Sequence, residues 1–112
     1  MKNKYMAKKI KTDYGTFDSM KEYKHFKVLM LKQEKGEIYD LQRQVKFELI
    51  PSQKINGKVV ERAVTYNADF TYFDSDGKFH VEDTKSPITK TRDYIIKRKL
   101  MLWVHEIQIE EV

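Results

Sequence analysis

The segment Asp74-Ser75-Asp76-Gly77-Lys78 constrains the fold more than any other, because it lies between two runs in which apolar and polar residues alternate. It has the make-up of a tight hairpin loop, a type I turn closed by Gly77 in the left-handed conformation of a bulge. With Asp74 paired to Lys78, the register sets Asp69 opposite Asp83. The incoming strand covers about Arg62 to Phe73. Val64, Tyr66, Ala68, Phe70 and Tyr72 fall on its apolar face, and Thr65, Asn67, Asp69, Thr71 and Phe73 on the other. The returning strand covers Lys78 to Lys85. Strand alternation puts Lys85 on the side of Asp83, and Glu82 on the opposite side with His80 and Thr84.

Around this hairpin the periodicity predicts one α/β domain. Ser19 and Glu22 have capping-box spacing, opening a helix at Asp18 or Ser19. Its apolar positions are Met20, Tyr23, Phe26, Leu29 and Met30, and Gly36 is the expected stop. From Leu41 the period becomes two, with Leu41, Arg43, Val45, Phe47 and Leu49 on one face and Gln42, Gln44, Lys46 and Glu48 on the other, until Pro51 closes the strand. Asn56-Gly57 marks a turn. After Ser86-Pro87 a second helix is expected from Thr89 or Thr91 to Trp103, with Tyr94, Ile96, Leu100 and Trp103 or Val104 inward. Ile107 and Ile109 belong to a last strand. A strand that follows a crossover helix joins the same sheet in parallel, so the expectation is an αβββαβ core with a four-stranded mixed sheet.

The chain has 112 residues, no cysteine and a formal net charge of +5. Its length fits one domain, and the missing cysteines exclude a disulfide framework, a thiol nucleophile and Cys-ligated metal. No apolar run reaches the length of a membrane span and no signal peptide is visible, so the expectation is a cytoplasmic protein without a membrane partner. His25, His80 and His105 share no spacing that would make a zinc site. The basic surplus is concentrated. Residues 1–11 carry Lys2, Lys4, Lys8, Lys9 and Lys11 without an acid, and 85–99 carry Lys85, Lys90, Arg92, Lys97, Arg98 and Lys99 against Asp93. The first stretch reads as a basic N-terminal arm over 1–13, either a solvated terminus or a segment laid along phosphates. Lys8, Lys9, Lys90, Arg92, Lys97 and Arg98 are the candidate contacts to a nucleic-acid backbone.

Two cross-strand carboxylates have Cβ atoms ~5 Å apart and destabilise a sheet, repelling by roughly 3 kcal/mol at an effective dielectric near 20. Asp69 and Asp83 therefore require an offsetting cation: Lys85 in part, and more fully a divalent ion with oxygen ligands such as Mg²⁺ or Mn²⁺. That constellation suits metal-assisted phosphodiester hydrolysis, with Asp69 and Asp83 holding metal and Lys85 orienting the nucleophile. The bland alternative is an exposed Asp83–Lys85 pair with Asp69 in another register. Glu22 has two readings, a capping carboxylate or a third acid at the patch.

An Asp, a turn, then Asp83-Thr84-Lys85 in a helix–strand–strand–strand–helix–strand order resembles the PD-(D/E)xK nuclease superfamily, here with Ala68 where proline often precedes the first acid. The chain also resembles a small phage- and prophage-encoded family of endodeoxyribonucleases carrying an uncharacterised domain. The resemblance rests on Lys4-Tyr5, Lys8-Lys9, Gly15, Phe17-Asp18-Ser19 with Glu22, Gly36-Glu37-Ile38, Leu41, Gln44 and Phe47, then Ala68-Asp69-Phe70 and Val81-Glu82-Asp83-Thr84-Lys85. It implies a restriction-endonuclease-like fold and a metal-dependent DNA nuclease without a small-molecule cofactor, acting as a homodimer on branched or recombination-intermediate DNA. It further implies Asp69, Asp83 and Lys85 as the core of the site, Glu22 contributing from the first helix as catalytic acid or metal ligand, and Gln44 nearby. Asn67 and Glu82 are expected as nearby or supporting residues, with Glu82, on the side away from Asp83, pairing with a cation or meeting solvent at the sheet's edge. The rival readings are a DNA-binding protein on a nuclease scaffold without turnover, and a structural phage protein with an accidental D-x-K.

Overall fold

In the computed structural model, which describes residues 9–112, two helices pack on a four-stranded mixed sheet, with two small hairpins outside it. A short hairpin, β1 (Ile10–Thr12) and β2 (Gly15–Phe17), leads into α1 (Met20–Glu34). Of the basic arm expected over 1–13, Ile10–Thr12 are paired strand, with Ile10 partly buried against the core. Lys2, Lys4 and Lys8 lie outside the described residues. Ser19 caps α1 by accepting from the Glu22 N–H. The other end closes on Gly36 (φ +77), with Glu37 N–H to Lys32 O and Gly36 N–H to Gln33 O, the paired bonds of a Schellman motif.

The long strand β3 (Ile38–Ile50) ends before Pro51, and the hairpin β4 (Gln53–Ile55)–β5 (Lys58–Glu61) turns at Asn56-Gly57, both at positive φ. Then come β6 (Val64–Asp74), β7 (Phe79–Asp83), α2 (Arg92–His105) and the short β8 (Glu110–Glu111), in sheet order β3-β6-β7-β8. The hairpin register is the one expected: Phe70 faces Glu82, Thr71 faces Val81, and Asp74 N–H donates to Lys78 O. The crossover through α2 returns β8 parallel to β7. Ile107 and Ile109 precede this strand rather than belong to it, and Ile109 is buried.

One expectation fails instructively. Strict alternation would give β6 a single apolar face, yet Tyr66 and Ala68 pack with Leu49, Val81, Tyr94, Met101 and Ile109, while Phe70 and Tyr72 pack with Phe17, Phe26, Leu29 and Ile38. β3 divides in the same way: the Arg43 guanidinium stacks 3.6 Å from the Phe17 ring centre, whereas Phe47 lies against His105 of α2. The changeover falls at Gln44, whose φ of +54° is left-handed, and at Asp69, between the flanking pairs Arg43–Phe70 and Val45–Ala68. A left-handed residue inside a strand interrupts the two-residue alternation. The core is thus two clusters, one under each helix, meeting where Gln44 and Asp69 stand.

α2 also departs from the expected orientation. Trp103 is 84% exposed, and Ile96 and Val104 are exposed too. The inward stripe is Tyr94, Arg98 and Met101, with Ile95 and Leu100 partly buried. This rotation brings the Tyr94 hydroxyl (2.7 Å) and the Arg98 guanidinium (2.9 Å) onto Glu111.

Candidate active site

The seam between the two clusters opens as a cleft of about 310 Å³, lined by residues that include Gln44, Tyr66, Asn67, Asp69, Asp83, Lys85, Tyr94 and Lys97. Each strand delivers its part. β6 supplies Asn67 and Asp69, β7 supplies Asp83, and the segment after β7 supplies Lys85. That segment is fixed by the chain end: Val112 N–H donates to Asp83 O (2.9 Å), and Lys85 N–H to Val112 O (3.2 Å). α1 contributes Glu22, which is 1% exposed.

Asp69 accepts the Thr84 N–H (2.9 Å) and hydroxyl (2.7 Å) at Oδ2. Asp83 is buried; its Oδ2 accepts the Tyr66 hydroxyl at 2.7 Å and lies 3.3 Å from Lys85 Nζ. Lys85 Nζ in turn sits 4.3 Å from the Tyr94 ring centre, a cation–π seat that orients the ammonium beside the acids. Gln44 bridges Glu22 and the strand acids: its Nε2 donates to Glu22 Oε2 (3.1 Å) and Asp69 Oδ1 (3.3 Å), and its Oε1 accepts from Asn67. Glu22 does cap α1, but through the Asp18 N–H (2.9 Å) rather than that of Ser19. Its second oxygen remains turned to Gln44, so capping and site roles coexist.

Charge in this cluster is poorly matched. Burial, reinforced by the neighbouring Asp69, pushes Asp83 from 3.8 up to about 7, and burial with the Asp69 charge raises Glu22 to about 7. Asp69 goes the other way. Burial opposes its charge, but hydrogen bonds from Asp83 and Thr84, with Lys85 close by, hold it below the ordinary carboxylate range. Of the two facing acids, Asp83 is thus the one whose charge is disfavoured and Asp69 the one whose charge is held, and Lys85 only partly offsets the pair.

Asp69, Asp83, Lys85, Glu22, Gln44 and Asn67 are brought together as the sequence predicts. Glu82 is not among them. It points to α1, where Oε1 meets His25 Nε2 at 2.6 Å and Oε2 accepts the Tyr72 hydroxyl. Thr84, expected on the side of Glu82, instead turns its hydroxyl to Asp69. Of the basic residues, Lys97 lines the cleft, whereas Lys90 (2.9 Å) and Arg98 (2.9 Å) are committed to Glu111. The Tyr94 hydroxyl and these two cations hold the Glu111 carboxyl down at about 2. Arg92 and Lys9 are exposed, and Lys8 lies outside the described residues. Sequence reasoning missed Tyr66, Tyr94, Thr84 and Lys21, whose Nζ reaches the Lys85 carbonyl at 2.8 Å. Periodicity assigns tyrosines to the core without showing where their hydroxyls go.

The donor set is oxygen only, as a hard divalent cation prefers. Among the described residues, no three His, Cys, Asp or Glu side chains form a complete metal cage. Mg²⁺ does not require one, because it is held by one or two carboxylates with water and substrate phosphate completing its shell.

Fold and site together define a mixed α/β domain with an acidic, lysine-bearing cleft at the seam of its sheet. The sequence profile of a protein of unknown function, DUF1064, matches residues 2–110, and the chain belongs to that family. No curated protein and no solved structure matches it.

Proposed function

We propose that this protein is a divalent-metal-dependent endodeoxyribonuclease of the PD-(D/E)xK kind, with a restriction-endonuclease-like fold. The observation that carries the reading is the pair of carboxylates Asp69 and Asp83 on an open cleft, Asp83 buried and Asp69 half-buried, with the Lys85 ammonium 3.3 Å from Asp83. Asp69 and Asp83 would hold Mg²⁺ or Mn²⁺, with Glu22 within reach through Gln44. The ion would supply charge neutralisation at the phosphate and polarisation of the attacking water.

The chain's own groups do the rest. Thr84 and Tyr66 fix the two carboxylates, and Gln44 fixes Glu22 relative to Asp69. Lys85, seated on Tyr94, holds the water and offsets negative charge as the new phosphorus–oxygen bond forms and the bridging bond breaks. Lys97 at the rim supports a phosphate contact. The reading includes a homodimer, since one protomer carries one such cleft and cutting both strands symmetrically needs two. It includes branched or recombination-intermediate DNA as substrate, and the cytoplasm of a bacterium carrying a phage or prophage as setting. The described residues contain no helix long and apolar enough to cross a membrane.

The test is plasmid and branched DNA incubated with protein and Mg²⁺ or Mn²⁺, beside Asp83→Ala and Lys85→Ala. The expected result is nicking or cleavage that both substitutions abolish; cleavage unchanged in both would remove this assignment. Lys97 at the cleft rim fits equally a second reading, a DNA-binding protein on a nuclease scaffold without turnover. Salt-sensitive binding without cleavage of any substrate would favour it.

A further inference from the structure

We infer that the β4–β5 ribbon is an arm that grips duplex DNA about one helical turn from the cleft, an inference that rests on the nuclease reading for its substrate. Every residue from Pro51 to Ala63 is exposed. Ile55, Val59 and Val60 leave half or more of their surface in water, although they are β-branched residues in paired strands. The last core contacts along β3 and β6 are those of Ile50 and Val64, where the register also shifts. Beyond them the two strands project without a covering layer. The radius of gyration, 16.2 Å, exceeds the roughly 13 Å of a compact chain this long. An isolated two-stranded ribbon is marginal in water, so one that carries exposed apolar side chains across the Asn56-Gly57 turn is built to be covered.

Charge identifies what covers it. Lys54, Lys58 and Arg62 stand against Glu61 alone, and the pairs Ile55–Lys58 and Lys54–Val59 put a cation beside an apolar side chain on either face of the ribbon. That mixture fits a groove, where lysines meet phosphates along the walls and branched side chains meet base edges and sugars. The major groove admits a two-stranded ribbon.

Placement points the same way, because the arm is continuous with the strands that carry Gln44, Asn67 and Asp69. Ten residues separate Asn67 from Gly57, a reach of at most about 33 Å at strand spacing. One turn of duplex is about 34 Å. The arm therefore reads duplex length on one side of the scissile phosphate.

The test compares the wild-type protein with a K54A/K58A/R62A triple variant and with an I55S/V59S variant. All these side chains are exposed, so thermal melting should be unchanged. Binding to 30-bp and 10-bp duplexes is measured in Ca²⁺ at several salt concentrations, cleavage in Mg²⁺ or Mn²⁺, and oligomeric state by sedimentation. The expected result is a loss of about tenfold or more in affinity for the 30-bp duplex by the triple variant. The salt slope should fall by about 2 to 3. The advantage of long over short duplex should shrink in both variants. Unchanged affinity and slope would overturn the proposal. So would loss of a dimer by I55S/V59S with DNA affinity intact, which would make a second copy the occupant. If the wild-type protein binds but does not cleave, the nuclease reading falls and the arm is decided by affinity alone; no binding at all removes both.

Discussion

Glu82 and Asp83 are consecutive residues of one strand, nearly equally buried and facing opposite helices, and their surroundings could hardly differ more. On the α1 side Glu82 is answered by His25 and Tyr72. Burial works against its charge, but those hydrogen bonds win and hold its carboxyl below the usual range. On the cleft side Asp83 meets burial and a second acid, and neither Tyr66 nor Lys85 prevents its rise to about 7. A buried carboxylate whose charge is matched is part of the packing. One whose charge is not matched stores a demand for a cation, and that demand is what a metal and a phosphate-bearing substrate can meet.

The comparison is broken most directly by exchanging each acid for its amide. Asp83→Asn should reduce metal-dependent cleavage at least about 1,000-fold, equivalent to about 4 kcal/mol in the barrier, with the fold retained. Glu82→Gln should leave cleavage within a few-fold at a permissive temperature. It should cost about 2–3 kcal/mol of unfolding free energy, because it removes a buried carboxylate that accepts the His25 and Tyr72 hydrogen bonds. Denaturant titration and initial rates measured on the same preparations decide the matter. A Glu82→Gln protein that is dead but fully stable would place both acids in the chemistry and erase the distinction.

A smaller effect has the opposite sign. Without metal, Asp83→Asn removes one of two facing carboxylates, while the amide can still accept from Tyr66 and donate to Asp69. The apo protein should become about 1–2 kcal/mol more stable, by relief of repulsion. Added Mg²⁺ or Mn²⁺ should stabilise the wild-type protein and leave Asp83→Asn nearly unmoved. A variant no more stable than the parent would mean that Lys85 and Tyr66 already balance the site.

Much of this contrast was legible in the sequence because it depends on register. The turn chemistry of Asp74–Lys78 sets Asp69 near Asp83, and alternation within β7 separates Glu82 from Asp83; both are local rules that hold close to the loop. What was hidden is the work of longer connections. The left-handed Gln44 divides β3 and β6 between two helices, and nothing in a glutamine announces that conformation. The rotation of α2, which exposes Trp103 and turns Tyr94 and Arg98 inward, is set by Glu111, thirteen residues beyond Arg98 and on a different element. Hydrophobic periodicity ranks faces by apolarity, so it could not weigh an ion pair that outbids a tryptophan for the inside.

The last expected effect is the pH dependence of apo stability, and its sign follows from which state holds the protons. Asp83 and Glu22 keep theirs up to about pH 7 when folded, whereas the unfolded chain releases them near 3.8 and 4.5. The native state therefore binds more protons between about pH 4.5 and 7, and stability must fall as pH rises through that window. Asp69, Glu82, Asp74 and Glu111 are all lowered, so their contribution is complete above the bottom of the window and adds no slope within it. Burial disfavours charge on His80, but Asp74 at 2.7 Å and Glu110 at 2.6 Å raise it above 6.5. Its stabilising charge is present below 6.5 and lost above, a second downward term that begins only at the upper edge. Between pH 4.5 and 6 the slope thus belongs to the cleft acids. The wild-type protein should lose stability across that interval, Asp83→Asn should lose less, and Glu82→Gln should follow the wild type. Equal slopes in wild type and Asp83→Asn would mean that the cleft does not hold Asp83 protonated, and would remove the electrostatic half of the contrast between the two faces of β7.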